Sequence, residues 1–144
     1  MNVSTMLDLI KTRYSGMGGT EIETSVAKEF LRSAVVYVES FDYSSNYGYS
    51  ISNNDISFSA EPSDMVGMLY VLRALLEISS SDTVAKVSNN EIGVNWRSGM
   101  DSVSSSGAGK IATNIIESLK DEYSKALKSA KIKSLGMTNI SLYG

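Results

Sequence analysis

Residues 63–79 read SDMVGMLYVLRALLEIS, and this stretch decides the fold. Met65, Val66, Met68, Leu69, Val71, Leu72, Leu75, Leu76 and Ile78 surround the axis of a helix almost completely, with only Arg73 and Glu77 interrupting its later half. A helix lying on a surface carries one apolar stripe, whereas a helix that is apolar all round is covered on several sides. The spacing therefore predicts a central helix with other elements packed around it. Glu61-Pro62-Ser63-Asp64 reads as its start, because proline fits a first turn and acidic side chains suit the positive end of the helix dipole. Ser79-Ser80-Ser81-Asp82 is expected to cap or interrupt it, with Thr83 to Val87 adding a further turn or two.

Upstream, Asp42 to Ser59 is rich in Tyr, Ser and Asn and has little to favour a helix. Ser52-Asn53-Asn54-Asp55 is a turn cluster, and Tyr49/Ile51 before it and Ile56/Phe58 after it alternate as a small hairpin does. Before that, Thr20 and Glu23 have the spacing of a capping box. Ile22, Ala27, Phe30, Leu31, Ala34, Val38 and Phe41 then recur in steps that mark one buried helical face. Residues 3–13 predict a short first helix with Met6, Leu9 and Ile10 on one side, broken by Ser15-Gly16-Met17-Gly18-Gly19.

Downstream, Gly93 to Val103 is a second candidate hairpin, with Val94 and the sole tryptophan, Trp96, on one face. Ser104 to Gly109 is a loop leading into a long amphipathic helix: Ala108, Ala112, Ile115, Leu119, Tyr123, Ala126 and Ala130 repeat at steps of four and three. Asp121 and Lys125 form a favourable pair one turn apart on its outer face. Residues 134–144 carry Ile140, Leu142 and Tyr143 and read as an arm after a single helical domain over 1–133. The fold class expected is mainly α: a small bundle with a central apolar helix, a long C-terminal helix and one or two short β-hairpins.

The composition narrows the chemistry. In 144 residues there is no cysteine and no histidine. That removes a disulfide, a thiolate nucleophile, a histidine general base and a zinc site of the His/Cys kind. The hydrophobic fraction of 42% is ordinary for a globular chain, and a net charge of −3 lacks the basic footprint of a nucleic-acid binder. No apolar run approaches the roughly 18 to 20 residues that span a bilayer, and the first residues lack a basic start followed by an apolar run. A soluble protein made in a cytoplasm is expected, with no membrane partner.

Motifs that resemble active sites fail on detail. Gly107-Ala108-Gly109-Lys110 lacks the earlier glycine and the following hydroxyl of a phosphate loop, since Ser104 and Ile111 stand there. Gly16-Met17-Gly18-Gly19 precedes a helix whose N-terminus could hold an anion, but it follows a helix rather than a strand and reads as a simple turn. Asp42, Asp55, Glu61 and Asp64 lie where acidic residues cap and solvate rather than catalyse, and Asn53-Asn54-Asp55 lacks the later glutamate of a calcium loop. No catalytic, cofactor or metal residue is expected. Tyr43, Tyr47 and Tyr49 crowd a polar segment; tyrosine is enriched where one end of a side chain is apolar and the other wet, so interface and hairpin packing both remain open for them. For Trp96 a local core anchor and an interface hot spot are the two readings.

The chain resembles the head–tail connector, or adaptor, proteins of tailed bacteriophages. Two patches carry the resemblance. One is Tyr49-Ser50-Ile51 with Asp55-Ile56-Ser57, then Glu61-Pro62-Ser63 and the apolar helix to Leu76. The other is Gly93-Val94-Asn95-Trp96-Arg97-Ser98-Gly99, then Ser102 and Ser104, then a helix carrying Leu119, Glu122-Tyr123 and Leu127. In order and spacing they cover about residues 20 to 131. The resemblance implies a structural virion protein without catalysis or cofactor. Copies of it, typically twelve, form a ring beneath the portal, present a platform to the next neck or tail protein, and extend the channel through which DNA passes without sequence-specific contact. It further implies that loops and the C-terminal arm make the contacts between subunits and to the portal. The interface candidates are thus Tyr43, Tyr47, Tyr49, Phe58, Trp96, Arg97, Met100, Ile140, Leu142 and Tyr143. An acidic channel wall would repel DNA and let it slide, and an edge strand of the hairpin offers backbone groups to a neighbouring subunit. The alternatives are another phage neck or tail-completion protein, or a non-viral helical module that binds a ligand or regulates a partner.

Overall fold

The computed structural model describes residues 1–88 and 108–135. Four α-helices and one β-hairpin make up this part: α1 (Val3–Gly16), α2 (Thr24–Tyr37), β1 (Tyr49–Ser52), β2 (Asp55–Phe58), α3 (Asp64–Ser88) and α4 (Ala108–Ser134), with a π-helical turn at Val38–Asp42 continuing α2. The second hairpin expected at 93–103, with Trp96, Arg97 and Met100, lies outside the described residues. So does the arm from residue 136 onward, with Ile140, Leu142 and Tyr143.

The central helix is where the sequence puts it. α1, α2 and α4 all pack on α3, and Leu69, Tyr70, Val71, Leu72, Ala74 and Leu75 are closed off from solvent. Ser63 caps α3 by accepting the Val66 N–H at 3.3 Å, while the fully buried Pro62 stands one residue outside the cap rather than in the first turn. The serine run does not stop α3, which continues to Ser88 with Ser79 buried. Serine costs only a few tenths of a kcal/mol in a helix interior, and the burial of Leu75, Leu76 and Ile78 outweighs that local preference.

α1 ends in a Schellman motif built from the glycine run. Gly19 N–H donates to Tyr14 O at 3.0 Å, and Gly18 N–H to Ser15 O at 3.1 Å. Gly18 takes φ +91°, and any Cβ at Gly19 would sit 2.4 Å from the Tyr14 ring. The chain then has no regular secondary structure up to Glu23, whose own backbone is extended, so α2 begins at Thr24, with Glu23 rather than Thr20 in the cap position, and Glu23 makes no side-chain cap. Thr24 Oγ1 instead accepts from Lys11 Nζ of α1 at 3.0 Å.

The first hairpin forms over the expected residues, and its register sets Tyr49 opposite Phe58 and Ile51 opposite Ile56. Asn53 supplies the left-handed turn residue, with φ 58°. One face of the hairpin turns Ile56 into the core against α2, and the other carries a Ser50–Ser57 hydroxyl pair at 2.8 Å. α4 buries Leu119, Tyr123 and Ala130 as its period requires, with Asp121 and Lys125 paired at 3.0 Å. Arg13 of α1 grips Glu122 of α4 with both guanidinium arms, at 2.9 and 2.7 Å.

Candidate functional site

The surface that stands out is built at the end of α2. The helix buries Leu31, Ala34, Val35 and Val38 in helical order, and then its hydrogen-bond step lengthens: Tyr43 N–H donates to Val38 O, five residues back, at 2.7 Å. The added residue rotates the last turn about the helix axis. Phe41, which the sequence spacing assigns to the buried face, is turned outward and left 75% exposed. This corrects the expectation for Phe41, and the cause is the change of helical pitch. Val36 at 36% and Ile51 of β1 at 40% exposure lie beside it. With Tyr37, Arg32 and Ser33 they line a groove of about 380 Å³.

The turn that presents Phe41 is tied to the core through its acids. Glu39 accepts from the Tyr70 hydroxyl of α3 at 2.7 Å, from the Ser45 hydroxyl at 2.8 Å and from the Ser45 N–H at 3.0 Å. Asp42 accepts from the Tyr123 hydroxyl of α4. Burial is the main cause that pushes both tyrosine hydroxyls well above their ordinary pKa, so each stays a proton donor. The face is thus held by two core helices rather than borne on a loose loop.

Charges of both signs surround it: Arg32 lines the groove, and Ser33 of the same groove donates its hydroxyl to the Glu77 carboxylate at 2.9 Å. Arg73 lies 3.6 Å over the centroid of the Tyr37 ring, and Tyr37 in turn packs at 5.1 Å against Phe41. Arg32 makes no ion pair among the described residues, and its Nε is buried without a hydrogen-bond partner. The nearest hairpin acid, Asp55, is already matched to Lys28 at 2.9 Å.

The structure treats the sequence-derived candidates unevenly. Tyr43, Tyr47, Tyr49 and Phe58 are half-buried and packed against the core, with Phe58 stacked on Tyr70 at 5.7 Å between centroids. Trp96, Arg97, Met100, Ile140, Leu142 and Tyr143 lie outside the described residues. Phe41, Val36 and Arg32 were missed. The one sequence signal for Phe41 is the polar run that begins at the very next residue, Asp42.

Among the described residues no group of three or more acidic, histidine or cysteine side chains could hold a metal ion, and no helix is long and apolar enough to cross a membrane. Comparison with protein-family models, with curated proteins and with solved structures gives no match.

Proposed function

We propose that this chain is a structural assembly protein of a tailed-phage particle: a connector whose copies form a ring between the portal and the next neck or tail protein and lengthen the DNA channel. The observation that carries this reading is Phe41 on its anchored turn. A large aromatic side chain three-quarters exposed, flanked by Val36, Tyr37 and Ile51, forms an apolar face that water does not favour. Such a face, held rigid by Tyr70 and Tyr123, suits docking to protein. The two sequence patches supply the particular kind of assembly, and the mainly helical body with a small hairpin is the architecture they imply.

The test is quantitative mass spectrometry of purified virus particles, counting this chain against the portal protein. A copy number close to the portal's supports a neck ring; absence from particles overturns it. A Phe41→Ser variant should fold with stability within about 0.5 kcal/mol of the parent, as surface changes usually do, and fail to enter particles. Normal incorporation of that variant would remove Phe41 from the interface.

A further inference from the structure

Among the described residues five large apolar side chains stand exposed, and they fall into two patches. Val36, Phe41 and Ile51 form the groove already described. Ile132, 38% exposed, and Leu135, 72% exposed, form the other at the end of α4. Leu135 N–H still donates to Lys131 O at 3.2 Å, so helical spacing reaches it. At about 3.6 residues per turn, Ile132 and Leu135 share one side of the helix, turned away from the buried Tyr123. The two patches cannot meet within one chain. Asp42, next to Phe41, accepts from the Tyr123 hydroxyl, which fixes that end of the groove beside the middle of α4. Leu135 lies twelve residues beyond Tyr123, about 18 Å further along the same helix axis.

We propose that the groove receives the end of α4 from a second copy of this chain, with Leu135 and Ile132 covering Phe41, Val36 and Ile51. The proposal rests on the ring reading above and names the contact between neighbours. Two unlike patches on one chain make the contact head-to-tail: each copy offers a groove on one side and a helix end on the other. Copies joined that way close into a ring or run on as a filament. A groove meeting a second groove would leave Ile132 and Leu135 uncovered. The charges agree in sign. At the groove Arg32 and Arg73 stand against Glu39, Asp42 and Glu77, and Lys28 against Asp55. Lys120, which lines a neighbouring cleft with Arg73 and Glu77, is offset by Glu29 before Phe30, so one acid is left in excess. The end of α4 has no acid after Glu122, and Lys128 and Lys131 make no ion pair among the described residues. A cationic apolar helix end therefore meets an apolar groove with a small surplus of acid.

The test is disulfide cross-linking of the full chain, which has no cysteine of its own. Val36→Cys and Ile132→Cys are placed on separate chains, leaving Phe41 and Leu135 intact. Mixed under mild oxidation, the two should give a disulfide-linked heterodimer, and neither alone should pair with itself. Adding Phe41→Ser to the first chain, or Leu135→Ser to the second, should slow heterodimer formation roughly tenfold. Lys128→Glu with Lys131→Glu on the second chain should slow it about threefold. Urea unfolding of each variant should match the parent's, as exposed positions allow, so a lost cross-link reports the contact rather than the fold. No heterodimer, or one formed equally fast when Ser15→Cys on α1 replaces Val36→Cys, would overturn the contact. Val36→Cys pairing with itself would make the contact groove to groove and overturn the head-to-tail order. Should the heterodimer be absent while Phe41→Ser still abolishes particle incorporation, the docking reading stands and the occupant is another protein. Should it form while Phe41→Ser enters particles normally, the contact between copies stands and the particle reading falls.

Discussion

Replacing Tyr70 by phenylalanine isolates the bond that ties the π turn to the central helix. The ring stays, with its stack on Phe58, and only a fully buried hydroxyl is lost. That hydroxyl donates to Glu39 Oε2 at 2.7 Å. A hydrogen bond to a charged group contributes about 1.5–3 kcal/mol. Glu39 is not stranded by the change, because the Ser45 N–H and hydroxyl still donate to it, so the loss belongs toward the lower end, about 2 kcal/mol. For a chain of this length that is a fall in Tm of about 6 °C. Urea unfolding should show a lower midpoint at unchanged m-value, and amide signals of Val38–Tyr43 should shift. The pH dependence has a definite sign. Burial, the largest cause, holds the Tyr70 pKa above its unfolded value near 10. Its contribution is present in full below that pH and is lost as pH rises further. The gap between parent and Tyr70→Phe should hold through neutrality and close in strong alkali. A variant within about 0.5 kcal/mol of the parent at neutral pH would refute the reasoning, since Glu39 would then be satisfied without α3.

The same physics predicts the behaviour of other positions. Leu72→Ala, at the centre of α3 and essentially without exposure, should cost about 3–4 kcal/mol in urea unfolding, the transfer and cavity terms together. Two nearby glycines should respond with opposite sign. Gly16→Ala meets nothing within 4 Å and should stabilise by about 0.5 kcal/mol, whereas Gly18→Ala must hold φ +91° and should destabilise by about 1 kcal/mol; thermal unfolding of the two variants checks both signs. The paired hydrogen bonds from Arg13 are the main cause that lowers the Glu122 pKa. Its stabilisation is therefore present above the ordinary carboxylate value and lost as pH falls through the lowered one. Glu122 is 43% exposed, which limits the effect to about 1 kcal/mol. Glu122→Gln should be less stable than the parent at pH 7 and match it in strong acid, by thermal unfolding at each pH.

Much of the fold could be read locally because its signals are local. The all-round apolarity of residues 65–78 specifies a helix with neighbours on several sides; the Ser52–Asp55 turn cluster between alternating pairs specifies a hairpin; the four-and-three steps from Ile115 to Ala130 specify a face. The errors share one cause, which is that distant contacts decide them. The Thr20–Glu23 spacing is a sound cap signal in isolation, yet the Gly18–Gly19 motif and the contact of Gly19 with Tyr14 carry the chain past it without helix. The serine run at 79–81 would favour a cap in an isolated peptide, yet it lies on a helix whose other faces are buried.

The site was the least legible part for the same reason. Val38 to Phe41 is a step of three, and a regular helix would keep both residues on the core side. Five-residue hydrogen bonding is favoured here because it brings Glu39 to Tyr70 and Asp42 to Tyr123, two partners 31 and 81 residues further along the chain. No window of sequence around Phe41 contains either tyrosine. Once both are in place, the extra residue of the π turn has to go outward, and it carries Phe41 with it. The exposure of Phe41 is thus a consequence of satisfying two acids against the core. A turn fixed that way stays in place when the outer face changes, so Phe41 and Ile51 can be altered to suit a partner without disturbing the helices beneath.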